Sequence, residues 1–525
     1  MFEPDRFWDL VERSDLPPLA RETLHYQEFL VDFGSLLDPE QGEKVLEVIE
    51  SVLCGWRERF PPGHPVAWQP FTVAYRAQCG LRLHTLLLKT PLERSLLLAE
   101  GLRRDLFQHG LFLEANLERH LGGNHLVKDL SALAMLAGLF RGPTADRWLA
   151  VVRKELPRQI GIQVLPDGGH YERSPMYHIL VMGDLLDAAL ALSTRDGSWV
   201  KSELLEPLGR MARFLVGVVH GDGEIPLFND SVLGQAPCPS EMFQRLEGSG
   251  LLAENFAVEA AGDGVDHFPD TGYTRFRSGG LCLVFDHGRL GPDELMGHVH
   301  NDSLSFELSW GPDRFIVDRG VYEYTMGPRR EECRAIKAHN TPSVDGLSQA
   351  ETWASFRVGK RWHAEGGDLE RLPEGEGVAA RWSRPGMPVI ERRVVRLDTG
   401  VFGITDRIGA GGARRIEIPF HFGPGVRVEV GEAVNRVDRG DVFTARWSAT
   451  KGRKTLHGTF ASHQPFEVSL SESVCWPRFH AKEQIARLVV TLKADTPVAM
   501  GTSLSTREMR GEVRMAPDSK DWGRA

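Results

Sequence analysis

The chain has 525 residues, 42% hydrophobic and 26% charged, with 62 Lys and Arg against 72 Asp and Glu and hence a net charge of −10. That length calls for two or three hydrophobic cores, and that balance belongs to a globular protein, which excludes a collagen-like or disordered chain. The negative sign excludes a general attraction to nucleic acid or anionic lipid, so an anionic ligand needs a local basic site.

The first ten residues carry acids and a proline where a secretion signal has a basic start and an apolar run. They predict a cytoplasmic protein, with the periplasm or exterior as the alternative if the N-terminus is incomplete. From 19 to 246 apolar residues recur at three and four, which predicts stacked helices over 43–56, 91–117, 125–140 and 177–192. Thr90-Pro91 reads as an N-cap followed by proline at the first helical position. The apolar run 180–192 carries Asp184 and Asp187, so no membrane span is predicted. After 235–270 the period changes to two, with strands expected at 273–277, 281–285, 304–308, 314–317, 394–397, 416–420, 426–430 and 488–492. The pattern predicts an α+β multidomain chain: a helical domain over 1–245, a linker over 246–270 and an antiparallel β-sandwich over 271–525. Six scattered cysteines read as reduced thiols, and the polar tail 510–525 as loose.

Four segments can carry chemistry. In Gly297-His298-Val299-His300-Asn301-Asp302 an extended H-x-H puts both imidazoles on one side, because side chains alternate. With Asp318 and His339 these are donors that Zn²⁺ accepts, although hydrogen-bonded surface histidines fit the same spacing. In Asp167-Gly168-Gly169-His170 through Ser174-Pro175-Met176-Tyr177-His178, Ser174 is an N-cap and Pro175 opens a helix, so Tyr177 falls in its first turn. The helix dipole there favours a phenolate and a base, whereas plain packing of the ring is the alternative. Gly122-Gly123-Asn124-His125 opens another helix, with Asn124 as a natural N-cap. The run Gly327-Pro328-Arg329-Arg330 leads a concentration of cations suited to carboxylates or sulfates, or simply a solvated loop.

Taken together and in this order, these segments resemble the heparinase II/III-like polysaccharide lyases over roughly residues 60–360, with Phe315-Ile316-Val317-Asp318, Ala338-His339-Asn340-Thr341 and Val344-Asp345-Gly346 extending the match. The resemblance implies an N-terminal (α/α) toroid joined to the β-sandwich. It implies β-elimination on an anionic, uronic-acid-containing polysaccharide, with bacterial cell-surface polysaccharide processing as one setting. By motif, Tyr177 becomes the main acid/base residue, His298 its partner in proton transfer, and Asn124 or His125 the group that neutralises the substrate carboxylate. Arg173, His178, Arg329 and Arg330 are the expected substrate-binding residues. His300, Asp318 and His339 match the family's ligands for a mainly structural Zn²⁺, leaving Asp302 a structural role. A metal-assisted glycan hydrolase and a non-catalytic glycan-binding protein are the alternatives on the same fold.

Overall fold

A computed structural model describes residues 4–13, 16–37, 42–252, 262–431, 434–436 and 442–508. The expected loose tail therefore lies outside the described residues. Two compact units make up the chain, residues 1–163 with 181–208 and residues 164–180 with 209–525.

The first unit is helical. Pro70–Lys89 packs against both Glu93–Asn116 and Gly123–Leu139, and the latter packs against Pro143–Gln163. Small residues make these approaches close: a Cβ on Gly110 would meet the Trp148 indole at 2.5 Å, so glycine is what lets that ring sit on the Glu93–Asn116 helix. The expected N-cap at Thr90 is corrected. Its hydroxyl donates to the Leu86 carbonyl at 3.0 Å and closes the preceding helix, while the next one begins at Glu93. Among the described residues one helix, Pro175–Glu203, is long and apolar enough to cross a membrane. However, 72% of its apolar window is buried, and its Asp184 is buried and ion-paired with Lys128 at 2.7 Å, as in a core helix.

The second unit is dominated by antiparallel sheet. Gly264–Phe268, Tyr273–Ser278, Leu281–Asp286, Phe306–Trp310 and Asp313–Ile316 form one sheet in chain order, each strand beside the next. An eleven-stranded sheet is built around the long pair Val401–His421 and Glu483–Ser505. Phe276, Leu283, Phe306 and Phe315 of the first sheet share a core with Phe402, Phe420, Trp447 and Leu488 of the second, the expected sandwich. The change from helix to strand falls between Ser249 and Gly264, and 253–261 of the expected linker lie outside the described residues. The compact units divide elsewhere, because Phe214 and Val218 of the helix Leu205–Val218 pack on Tyr273 and Val284 of the sheet. All six cysteines are free.

Candidate functional site

The site is built within the sheet-rich unit from three stretches that meet at one carboxylate. The first is the start of the helix Pro175–Glu203. The Ser174 hydroxyl accepts from the Tyr177 N–H at 3.4 Å, the expected cap, and lies 2.8 Å from the Ser231 hydroxyl. Upstream, Asp167 accepts from the Thr271 N–H and from its hydroxyl, each at 2.6 Å. Gly169 packs so closely that a Cβ there would stand 1.8 Å from the Thr271 hydroxyl oxygen. The Asp-Gly-Gly motif thus lashes the tyrosine-bearing turn to the sheet.

The second stretch is the H-x-H segment, which is a loop, with the strand opening only at Phe306. Arg334 holds this loop by donating to the Val299 carbonyl at 3.1 Å, and the Asn301 amide donates to the Arg334 carbonyl at 2.7 Å. Both imidazoles converge, as expected, but on a residue that sequence reasoning missed. His298 Nδ1 lies 2.9 Å from Asp230 Oδ2, and His300 Nε2 lies 2.8 Å from Asp230 Oδ1. Asp230 is fully buried, and Arg330 pairs with both of its oxygens, Nη2 donating at 2.8 Å. Burial works against its ionisation, yet Arg330 and the two histidines outweigh that and hold the carboxyl well below the usual carboxylate range.

The third stretch is Asn229-Asp230-Ser231. Asn229 has φ of 54°, a left-handed conformation that asparagine tolerates. There its backbone N–H donates to Asp302 Oδ2 at 2.6 Å while its side-chain oxygen accepts from the His300 N–H at 3.0 Å. The signal for this stretch was a polar triplet after an apolar run, and nothing local foretold that its carboxylate would be buried.

Tyr177 stacks on His298, the ring centroids 3.8 Å apart and the planes 27° from parallel, and its hydroxyl lies 3.3 Å from that of Tyr324. His298 Nε2 faces Glu172 Oε2 at 3.4 Å. Burial first, and then the negative charge of Asp230, push the Tyr177 phenol above its ordinary pKa. This direction runs against the expected phenolate, because desolvation and nearby carboxylates oppose the helix dipole at Tyr177.

A second cluster adjoins the first. Ligand atoms of His300, Asp302 and His339, all buried, lie within 4.8 Å of one another, a group able to hold a metal ion. Asp318 bonds to His339 Nδ1 at 2.6 Å, so it stands behind that ring in this geometry while Asp302 joins the group. His300 Nδ1 and His339 Nε2 are buried without hydrogen-bond partners, and the other nitrogen of each ring bonds to a carboxylate. Orphaned imidazole nitrogens backed by carboxylates and set beside a third carboxylate are a donor set that fits a divalent cation.

The remaining expected site residues have the following surroundings. The Arg173 guanidinium donates to the main-chain carbonyls of Thr271, Tyr171 and Asp270 and so braces loops. His178 is buried, with Nε2 3.0 Å from the Met211 carbonyl. Arg330 and Arg329 lie on a short helix, Pro328–Arg334, in place of a solvated loop. Alternation along it buries Arg330 on Asp230 and leaves Arg329 exposed over the Tyr322 ring at 4.1 Å. Asn124 and His125 belong to the helical unit. Gly122, not Asn124, takes the N-cap position of their helix, with φ of 66°, and Asn124 is buried in its first turn. His125 Nδ1 lies 3.0 Å from Glu118, and its ring packs on Phe71.

Comparisons with known proteins agree across both halves. A profile described as heparinase II/III N-terminus matches residues 17–247, and one described as heparinase II/III-like, C-terminal, matches 260–513. The heparin-sulfate lyase of Bacteroides thetaiotaomicron is 26% identical over 260 residues, 42% of this chain and 37% of its own length. FtsZ-localized protein C of Caulobacter vibrioides is 23% identical over 368 residues, 69% of this chain and 58% of its own length. The chain thus spans less than two thirds of these curated relatives. The crystal structure of heparinase III shares the fold, with a TM-score of 0.74 at 17% identity, covering 92% of this chain and 76% of that one.

Proposed function

The chain belongs to the heparinase II/III-like family, and from that premise we propose that it is a polysaccharide lyase cleaving an anionic, uronic-acid-containing glycan by β-elimination. The observation that carries the reading is the stack of Tyr177 on His298 beside a buried, fully hydrogen-bonded carboxylate. β-Elimination needs a base for the proton next to the substrate carboxylate and an acid for the leaving glycosidic oxygen. His298, held through Nδ1, offers Nε2 as the base. Tyr177, kept protonated by its surroundings, offers its O–H as the acid. Arg329, exposed on the same unit, supplies a cation for an anionic chain.

His300, His339 and the Asp302 carboxylate would hold Zn²⁺, with Asp318 backing the His339 ring, and the ion's chemistry there is to fix the loop that carries His298. Heparin-sulfate lyase activity in a relative supports a glycosaminoglycan as substrate. The test is a panel of uronate polymers followed by the absorbance of the unsaturated uronate product. Tyr177→Phe is expected to lower kcat by roughly 10²–10⁴-fold. Products that have gained water in place of a double bond point to the hydrolase, and a silent panel sinks the lyase. A second reading is a non-catalytic glycan-binding protein on the same fold. In that case Tyr177→Phe changes no measurable turnover.

A further inference from the structure

Asp230 is fully buried, and a carboxylate has about four lone-pair directions. Four donors take them: both terminal nitrogens of Arg330, Nδ1 of His298 and Nε2 of His300. The two rings approach with different nitrogens. An ionised carboxylate can only accept, so the proton of each neutral imidazole must sit on the nitrogen that faces it. That leaves the lone pair of His298 on Nε2, on the side of Glu172, and the lone pair of His300 on Nδ1, the buried atom without a partner in the cation-type group. Either ring in its other tautomer would turn a lone pair against Asp230; at His298, where Glu172 faces the opposite nitrogen, the shorter contact decides, 2.9 Å to Asp230 against 3.4 Å to Glu172.

We infer that Asp230 is a positioning residue that sets two tautomers at once, freeing His298 Nε2 for proton transfer and His300 Nδ1 for a metal ion. Arg330 keeps that carboxylate ionised and fixed in plane by its forked pairing. The Asp230 backbone serves the same end, its N–H donating to the His298 carbonyl at 3.2 Å and its own carbonyl accepting from Ser174 at 3.1 Å. The chemical role given to His298 rests on the lyase reading; the tautomers and the metal preference do not.

The experiment uses the full chain, freed of metal and labelled with ¹⁵N at histidine, with His298→Ala and His300→Ala to assign the ring signals. The wild type is expected to show His298 protonated at Nδ1 and His300 at Nε2. Asp230→Asn keeps the shape but must turn an N–H₂ toward one ring. It is expected to shift that ring toward the opposite tautomer, to weaken the binding of zinc alone by roughly 10–100-fold, and to lower kcat with KM little changed. A folded Asp230→Asn protein with wild-type tautomers and zinc affinity overturns the inference. So does a wild-type spectrum with either proton on the other nitrogen, which decides the matter even if the variant does not fold. A wild type that takes up no zinc removes the His300 half. Expected tautomers in a protein without lyase activity leave this inference standing and sink the lyase reading alone.

Discussion

Two buried guanidinium groups, one in each unit, are held in opposite ways. Arg330 is fully buried and forked onto Asp230, and that charge more than offsets burial and keeps its pKa above the ordinary value. Arg76 is as deeply buried, but it donates to the carbonyls of His25 and Ala67 and to the His109 ring, and it lies over the Trp56 and Trp68 rings at 4.3 and 5.6 Å. Burial pushes Arg76 down to about 9. In the helical unit the guanidinium is a flat, donor-rich packing element that forms no ion pair among the described residues. At Asp230 the charge itself is required, because only an ionised carboxylate accepts from both histidines.

The largest expected effect separates the two. Arg330→Met strands an uncompensated buried carboxylate and should cost about 3–5 kcal/mol, read by urea denaturation. Acid probes the other region. Trp56 Nε1 donates to His25 Nδ1 at 3.2 Å, and burial, followed by Arg76, lowers the His25 pKa to about 3. Its unfolded value is about 6.5, so below that pH the unfolded chain binds a proton that the folded one refuses. Stability is complete above the unfolded value and is lost as pH falls toward the folded one, by about 2 kcal/mol at pH 5 for this group. His25→Gln should flatten that part of the acid limb. Arg76→Met should be the mildest, about 1–2 kcal/mol from carbonyls left without donors. If it matches Arg330→Met, the distinction between packing element and paired charge fails.

How much of this was legible in the sequence depends on the range of each interaction. The helices and strands came from local period, and the H-x-H convergence from local alternation, even though the segment proved to be a loop. The strand Val401–His421 was foreseen only at its C-terminal end, because glycines at 403, 409, 411 and 412 interrupt the alternation; the pairing shifts register between Ile408 and Gly412. Asp230 was invisible because its partners lie 68 to 100 positions away. Arg330 was legible as a cation, but its side of the short helix was not, so a group expected to meet substrate instead meets Asp230. Thr90 shows the local counterpart: one hydroxyl suits the end of one helix as well as the start of the next, and spacing alone does not choose.

The four-donor carboxylate also limits how this protein can drift. Glutamate at 230 would carry the oxygens away from two rings, asparagine would reverse one hydrogen bond, and alanine would leave Arg330 buried without a counter-charge. No single replacement there is close to neutral, and none is rescued by one further change, because the donors come from both the His298 loop and the Arg330 helix. Positions 230, 298, 300 and 330 should therefore be inherited as a block: descendants that lose one would be free to lose the others, and an aligned family would split into chains that keep all four and chains that keep none.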